Sequence, residues 1–264
     1  MEVDAAGPGP GSSRARGRLS TQLRTLVCER SVLDRADGSA RWTQEGSSVL
    51  AAVYGPRQAK IQKEDAERAV VEVVYKLRAG LQGHEDRSLE LEIRGILEGV
   101  IPLGMHPRTS IMVVLQVLQE DGSVLSCALN AACAALVDAG VPMSSMYASV
   151  TCALTADERL LLLDPDAAEE QAAKARFCFT FPHHFDLAKA PADGGEGAAA
   201  GGGGDTAAAA AAIVSAAALG SRSFGSFSSD QLLDAFQLAR LGCERVAVFA
   251  RLSLTKSFQA ASSK

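Results

Sequence analysis

The chain has 264 residues, of which 47% are hydrophobic and 22% charged, with a formal net charge of −5. That length admits one domain of this size or two small ones, and a net negative chain lacks the global basic footprint of a nucleic-acid binder, so any such contact must come from a local patch or from a partner. No apolar run approaches the ~18 to 20 residues needed to span a membrane.

Residues 1–22 read as a disordered tail, rich in Gly, Pro, Ser and Arg and without an apolar stretch of signal type. Arg14, Arg16 and Arg18 make it locally basic, which would help hold nucleic acid, although a solvated tail is the simpler expectation. Short strands follow at about 26–32, 40–44 and 48–54, with turns at Asp37-Gly38 and Glu45-Gly46 and a stop at Gly55-Pro56. Residues 57–68 form a polar connection, and Val70 to Leu77 alternates enough for a strand. A helix at about 86–100, capped by Asp86 or Ser88, shows an apolar face at Leu89, Ile93, Ile96, Leu97 and Val100. Ile111 to Leu118 reads as a buried strand.

The stretch from Glu120 to Met146 organises the rest. Asp121-Gly122-Ser123 signals a turn, and Ser126 to Ala139 is a helix with small and apolar residues on nearly all sides. A helix of that kind is buried, with layers packed on both faces. Gly140 stands where a left-handed C-cap belongs, and Pro142 bars continuation. Beyond it the layout repeats: a hairpin of Ala148 to Leu154 and Leu160 to Leu163, an acidic segment Asp164 to Glu170, and a strand Arg176 to Phe181. Residues 190–210 are low-complexity Gly and Ala and read as an inserted flexible loop. A strand at Ile213 to Leu219 and a last helix at about 230–252, capped by Ser228 or Ser229, complete one α+β domain over 23–255, with a tail at 256–264. The six cysteines form no C-x-x-C pair, and Cys127 and Cys133 are badly spaced for one metal, so reduced structural thiols are expected and no metal site. The four histidines have no triad or metalloprotease context.

Several segments, in one order, resemble the RNase PH family, the phosphate-dependent 3′-to-5′ RNA exonucleases and their relatives in the eukaryotic RNA exosome ring. The carriers are the Asp37-Gly38-Ser39-Ala40 turn after Arg35, the GSSVLAAVYGP strand of Gly46 to Pro56, Arg87-Ser88-Leu89-Glu90-Leu91, Pro107 to Ile111, and ALVDAGVPM of Ala135 to Met143 after the DGS turn. The match runs from about Leu23 to Phe181 and more loosely through the last helix. The resemblance implies the RNase PH fold, a duplicated β-α-β arrangement of the ribosomal protein S5 domain 2-like kind. Within the family the chain most resembles the ring subunits that lack the usual catalytic residues.

Phosphorolysis brings inorganic phosphate to a 3′-terminal phosphodiester. It needs cations and N–H donors around both anions, and a carboxylate as proton donor or metal ligand. In the family an arginine before the central helix and that helix's N-terminal amides hold phosphate. Here Ser126 and the helix N-terminus remain, but the arginine position falls at Leu125. The family's catalytic aspartate falls at Lys174 or Arg176, a reversal of charge. The nearby Asp164, Asp166, Glu169 and Glu170 are the candidate substitutes, with a solvated acidic loop as the simpler expectation. Arg87 matches the family's RNA- or phosphate-facing arginine, Lys76, Arg78 and Arg94 would widen that patch, and Arg57, Lys60 and Lys63 lie on the connection that lines the pore in ring assemblies.

The resemblance therefore implies an RNA-binding exosome ring subunit, structural rather than catalytic, in nucleus, nucleolus and cytoplasm. Its expected partners are RNA, other RNase PH-type ring subunits and S1/KH cap subunits, with a homodimer when alone. It is expected to be a ring member and not itself a cap subunit. No cofactor is needed for binding. The alternative is a working phosphorolytic exonuclease with an altered site, acting as a homodimer with inorganic phosphate and Mg2+. Single-stranded DNA as a second ligand stays open.

Overall fold

Alternating and apolar runs build two sheets around one alanine-rich helix. The computed structural model describes residues 14, 17–80, 83–158, 160–183 and 218–262. Five strands, β1 (Leu26–Arg30), β2 (Gly38–Gln44), β3 (Ser47–Gln58), β4 (Val70–Lys76) and β5 (Thr109–Gln119), form one sheet in the order β1-β2-β3-β5-β4. Only β4 and β5 are parallel, and the crossover between them is helix α1 (His84–Val100), as a parallel pair requires. The second sheet, β7-β6-β8-β9, is antiparallel throughout: β6 (Met146–Leu154), β7 (Leu161–Leu163), β8 (Ala175–His183) and β9 (Gly220–Gly225).

Helix α2 (Val124–Asp138) is buried from Ser126 to Leu136 and packs on β2 and β3 of one sheet and β6 of the other. Its alanines let the two layers approach closely. Asn130 locks it to the second sheet, donating from its side-chain amide to the Ser149 carbonyl (2.9 Å) and accepting the Ser149 N–H (2.8 Å). Strand β6 is buried on both faces, with α2 on one side and the long α4 (Ser229–Ser262) on the other. Burial pushes the Cys127 and Cys133 thiols up to about 12, so they act as packing groups, and all six cysteines are free thiols. No described helix is long and apolar enough to cross a membrane.

Three of the recognised sequence segments meet in space. The Asp138 carboxylate, at the end of α2, accepts the Ser39 N–H (3.0 Å) and an Arg30 guanidinium N–H (3.1 Å). Asp37 accepts the Gly55 N–H (2.8 Å). A Cβ on Gly38 would lie 2.2 Å from the Ala139 nitrogen, so only glycine fits between these turns. These residues lock sheet to helix.

Several boundaries differ from the sequence expectation. Asp86 is not the N-cap of α1: Gly83 is, and Asp86, at the third helical position, accepts the Gly83 N–H (2.7 Å), the one half of a capping box that a glycine N-cap permits. Helix α4 continues through the supposed tail to Ser262, because Ser253 Oγ donates to the Cys28 carbonyl (3.3 Å) and Arg30 caps the Phe258 ring (3.9 Å), tying its polar last turns to β1. The last strand is β9, just after the segment expected. The Gly/Ala insert at 190–210, and most of the strand expected at 213–219, lie outside the described residues.

Candidate functional site

A cleft of about 210 Å³ opens where the N-terminus of α2 faces β8, β9 and the first turns of α1. Gly122 (φ +74°) and Ser123 (φ +52°) make the sharp entry to α2. A helix start of this kind offers N–H donors to an anion. Here the chain supplies the anion itself. Ser123 N–H donates to Glu170 Oε2 (3.2 Å), and Arg176 Nη1 donates to Glu170 Oε1 (3.2 Å). Leu125 lines the wall, where a phosphate site would want a cation.

The two residues expected near the family's acid position face different ways. Arg176 points into the cleft, whereas Lys174 turns to Glu158. Ser126 is corrected as a phosphate ligand: it is buried, donates to the Ser123 carbonyl (2.8 Å) and accepts from Thr151 Oγ1 (3.2 Å). That leaves its hydroxyl no free donor.

The acidic segment is not a solvated loop, and three of its four candidate acids are committed elsewhere. Asp164 is buried against Arg24 (2.6 Å) and also accepts the Arg24 N–H (3.0 Å). Asp166 caps the short α3 (Ala167–Ala172), accepting the Glu169 N–H (2.8 Å). Glu169 takes a bidentate pair of hydrogen bonds from Arg14 (2.9 and 2.8 Å), the strong geometry for such pairs. Arg14 is itself buried and donates to the carbonyls of Leu163 and Asp164, while Arg18 sits 3.5 Å from Glu169 and 3.8 Å from Asp166. The expected free basic tail is thus, at Arg14 and Arg18, an anchored arm; Arg16 lies outside the described residues. Only Glu170 of the four acids reaches the cleft.

Burial works against the charge on Glu169, but the Arg14 hydrogen bond, the Asp166 amide and the charges of Arg14 and Arg18 outweigh it and hold its pKa below the ordinary value. A lowered folded pKa adds stability that is complete above the unfolded value, about 4.3 for glutamate, and is lost as pH falls through the folded one. The arm is therefore expected to resist proteolysis near Arg14 at pH 5–7 and to become susceptible below about pH 4. Cleavage there already at neutral pH would contradict the anchoring.

The basic candidates fall into separate places. Lys63, Arg87 and Arg94 line one open groove over β4 and α1, shared with Glu72 and Glu90. Lys63 pairs with Glu72 (2.9 Å) and Arg94 with Glu98 (2.7 Å). Such exposed pairs contribute little and can be exchanged for phosphate. Arg87 is exposed on that groove. Lys76 is exposed at the end of β4, and Arg78 borders the central cleft beside Glu120 and Glu170. Arg57 pairs with Asp37 (3.0 Å), and Lys60 is exposed on the following turn.

Sequence reading missed Arg222 and Phe224, which line the cleft from β9. The signal was present as the alternation Ser221-Arg222-Ser223-Phe224, but the preceding alanines drew the strand assignment earlier. The described residues hold no cluster of three metal-ligating side chains, and the Ser123 N–H at the helix start donates to Glu170.

Comparison with known proteins bears on this geometry. Residues 22–142 match the model of the 3′ exoribonuclease family, domain 1 (RNase PH). An Arabidopsis thaliana protein named exosome complex exonuclease RRP46 homolog is 40% identical over 183 residues, covering 69% of this chain and 72% of that protein. The crystal structure of rice Rrp46 superposes with a TM-score of 0.75 at 33% identity, covering 91% of this chain and all of that one. An Archaeoglobus fulgidus exosome structure, with RNA in its active site, superposes with a TM-score of 0.67 over 89% and 91% of the two chains; at 16% identity this is a likeness of fold alone.

Proposed function

We propose that this chain, which belongs to the RNase PH family of 3′ exoribonucleases, is an RNA-binding, structural subunit of an exosome ring without phosphorolytic activity of its own. Relatives named as exosome components support the assembly part of this reading. The observation that carries the structural part is the filled anion seat: Glu170 holds the Ser123 N–H at the start of α2, with Leu125 beside it. The partners are RNA, other RNase PH-type ring subunits and S1/KH cap subunits, with a homodimer when alone, and the places of work are nucleus, nucleolus and cytoplasm. The competing reading is a phosphorolytic exonuclease, active on DNA as well, that uses inorganic phosphate and Mg2+ at an altered site. It requires Glu170, the one candidate acid in the cleft, to leave Ser123 and serve as the acid.

The test is a titration of single-stranded RNA at several salt concentrations, with sedimentation of the chain alone and mixed with an RNase PH-type ring subunit. Affinity is expected to be modest and salt-dependent. Arg87→Glu is expected to weaken it and to flatten the log–log salt slope by roughly 0.7 for each phosphate that the variant no longer neutralises. Unchanged affinity removes Arg87 from the site, and absence of RNA binding by the wild type removes the RNA-binding reading. A monomer that ignores other ring-type subunits at micromolar concentration overturns the assembly.

A further inference from the structure

Strand β9 is the edge of the second sheet and carries Phe224 at the cleft, 46% exposed. A single exposed apolar side chain needs no explanation, but this ring has company. The Arg222 Cζ lies 4.6 Å from its centroid and the Arg176 Cζ lies 5.5 Å away. Both distances are within cation–π range. Each guanidinium is also tethered by a carboxylate, Arg222 to Glu92 (2.6 Å) and Arg176 to Glu170 (3.2 Å), so the planar groups are oriented before any ligand arrives. The cleft also has apolar lining in Leu89, Val124 and Leu125.

Charge decides what this surface suits. Arg78, Arg176 and Arg222 border the cleft region, but so do Glu85, Glu120 and Glu170. With cations and carboxylates matched, attraction for phosphate cannot supply the affinity here. A flat ring, two planar cations and an apolar wall suit a nucleobase instead. We infer that Phe224, flanked by Arg222 and Arg176, is a stacking platform for one unpaired base of single-stranded RNA. This rests on the RNA-binding reading above and assigns the residue that holds the strand at the cleft. Every base has a π-face, so the platform accepts all four and discriminates only modestly among them.

The experiment is a fluorescence-anisotropy titration of a short single-stranded RNA against the wild-type chain, Phe224→Ala and Phe224→Tyr across a salt series. The same titration is repeated with that RNA made abasic, which keeps every phosphate and removes the bases. Phe224→Ala is expected to lower affinity about 5- to 150-fold with the salt slope unchanged, and Phe224→Tyr to bind as the wild type does. The abasic RNA is expected to bind wild type and Phe224→Ala equally. Because the ring is half exposed, the alanine variant is expected to melt as the wild type does. If the wild type binds RNA and Phe224→Ala binds it equally well, the platform falls while the RNA-binding reading stands. If the alanine variant instead loses self-association with RNA affinity intact, Phe224 belongs to a β9-edge contact between copies and the platform falls. If the wild type binds no RNA, both fall.

Discussion

Asp164→Ala is expected to lower the free energy of unfolding by about 3–5 kcal/mol, the usual cost of removing one partner from a buried ion pair. The pair is almost fully enclosed, with side-chain exposures of 1% for Arg24 and 2% for Asp164. Arg24 also donates to the carbonyls of Asp121 (2.6 Å) and Gly122 (3.3 Å), so it joins the lead into β1 to the turn that starts α2. Burial opposes its charge, but the hydrogen bond and charge of Asp164 outweigh that and raise its pKa further above an already high value. The guanidinium therefore stays charged, and without Asp164 it is charged, buried and unpaired. Asp164→Asn, which keeps an acceptor, is expected to lose less. Chemical denaturation of the three proteins decides the matter. A wild-type midpoint for Asp164→Ala would show that the pair contributes nothing and would make Asp164 a free acid again.

Phosphate-dependent release of nucleoside diphosphates from a labelled RNA 3′ end is expected to be at least 100- to 1000-fold slower than for a family member that carries the arginine. Loss of one preorganised donor typically costs about that much. On the register the resemblance implies, Leu125 replaces a donor and Lys174 or Arg176 an acid, and Glu170 occupies the Ser123 N–H. These effects act on one site and need not add. RNA incubated with and without phosphate, using wild type, Asp166→Asn and Glu170→Gln, separates the readings. Asp166 caps α3 outside the cleft, so its variant tests a structural acid, whereas Glu170 touches the site. Diphosphate release that requires phosphate and vanishes in Glu170→Gln would end the inactive-subunit reading and install the phosphorolytic one.

The readable parts of the sequence were those whose causes are local. Helix α2 announces itself by a turn, a run of small residues and Gly140, whose φ of +67° is the left-handed conformation that its position calls for. Leu125 and Arg176, which the neighbouring motifs singled out, both line the cleft. What escaped depends on residues far apart in the chain. Asp164 and Glu169 look like a solvated acidic run until Arg24 and Arg14, 140 and 155 residues earlier, arrive beside them. Arg222 and Phe224 become a site only because β9 pairs with β8 and sets Phe224 opposite Arg176. The family motifs behave differently again. Asp37, Gly38 and Asp138 hold turns against one another, so their presence reports the fold and not the chemistry.

The anchored arm also changes the electric field around the cleft. Asp166 and Glu169 lie on the segment leading to Glu170, and left bare they would present phosphate-repelling charge on the approach to the site. Arg14 and Arg18 bring two positive charges within 4 Å of them, well inside the ~8 Å screening length of physiological salt. An approaching strand therefore meets a nearly neutral rim. Removing the residues through Arg18 would take both cations away and leave that rim negative, so the trimmed protein is expected to repel the strand that the untrimmed one admits.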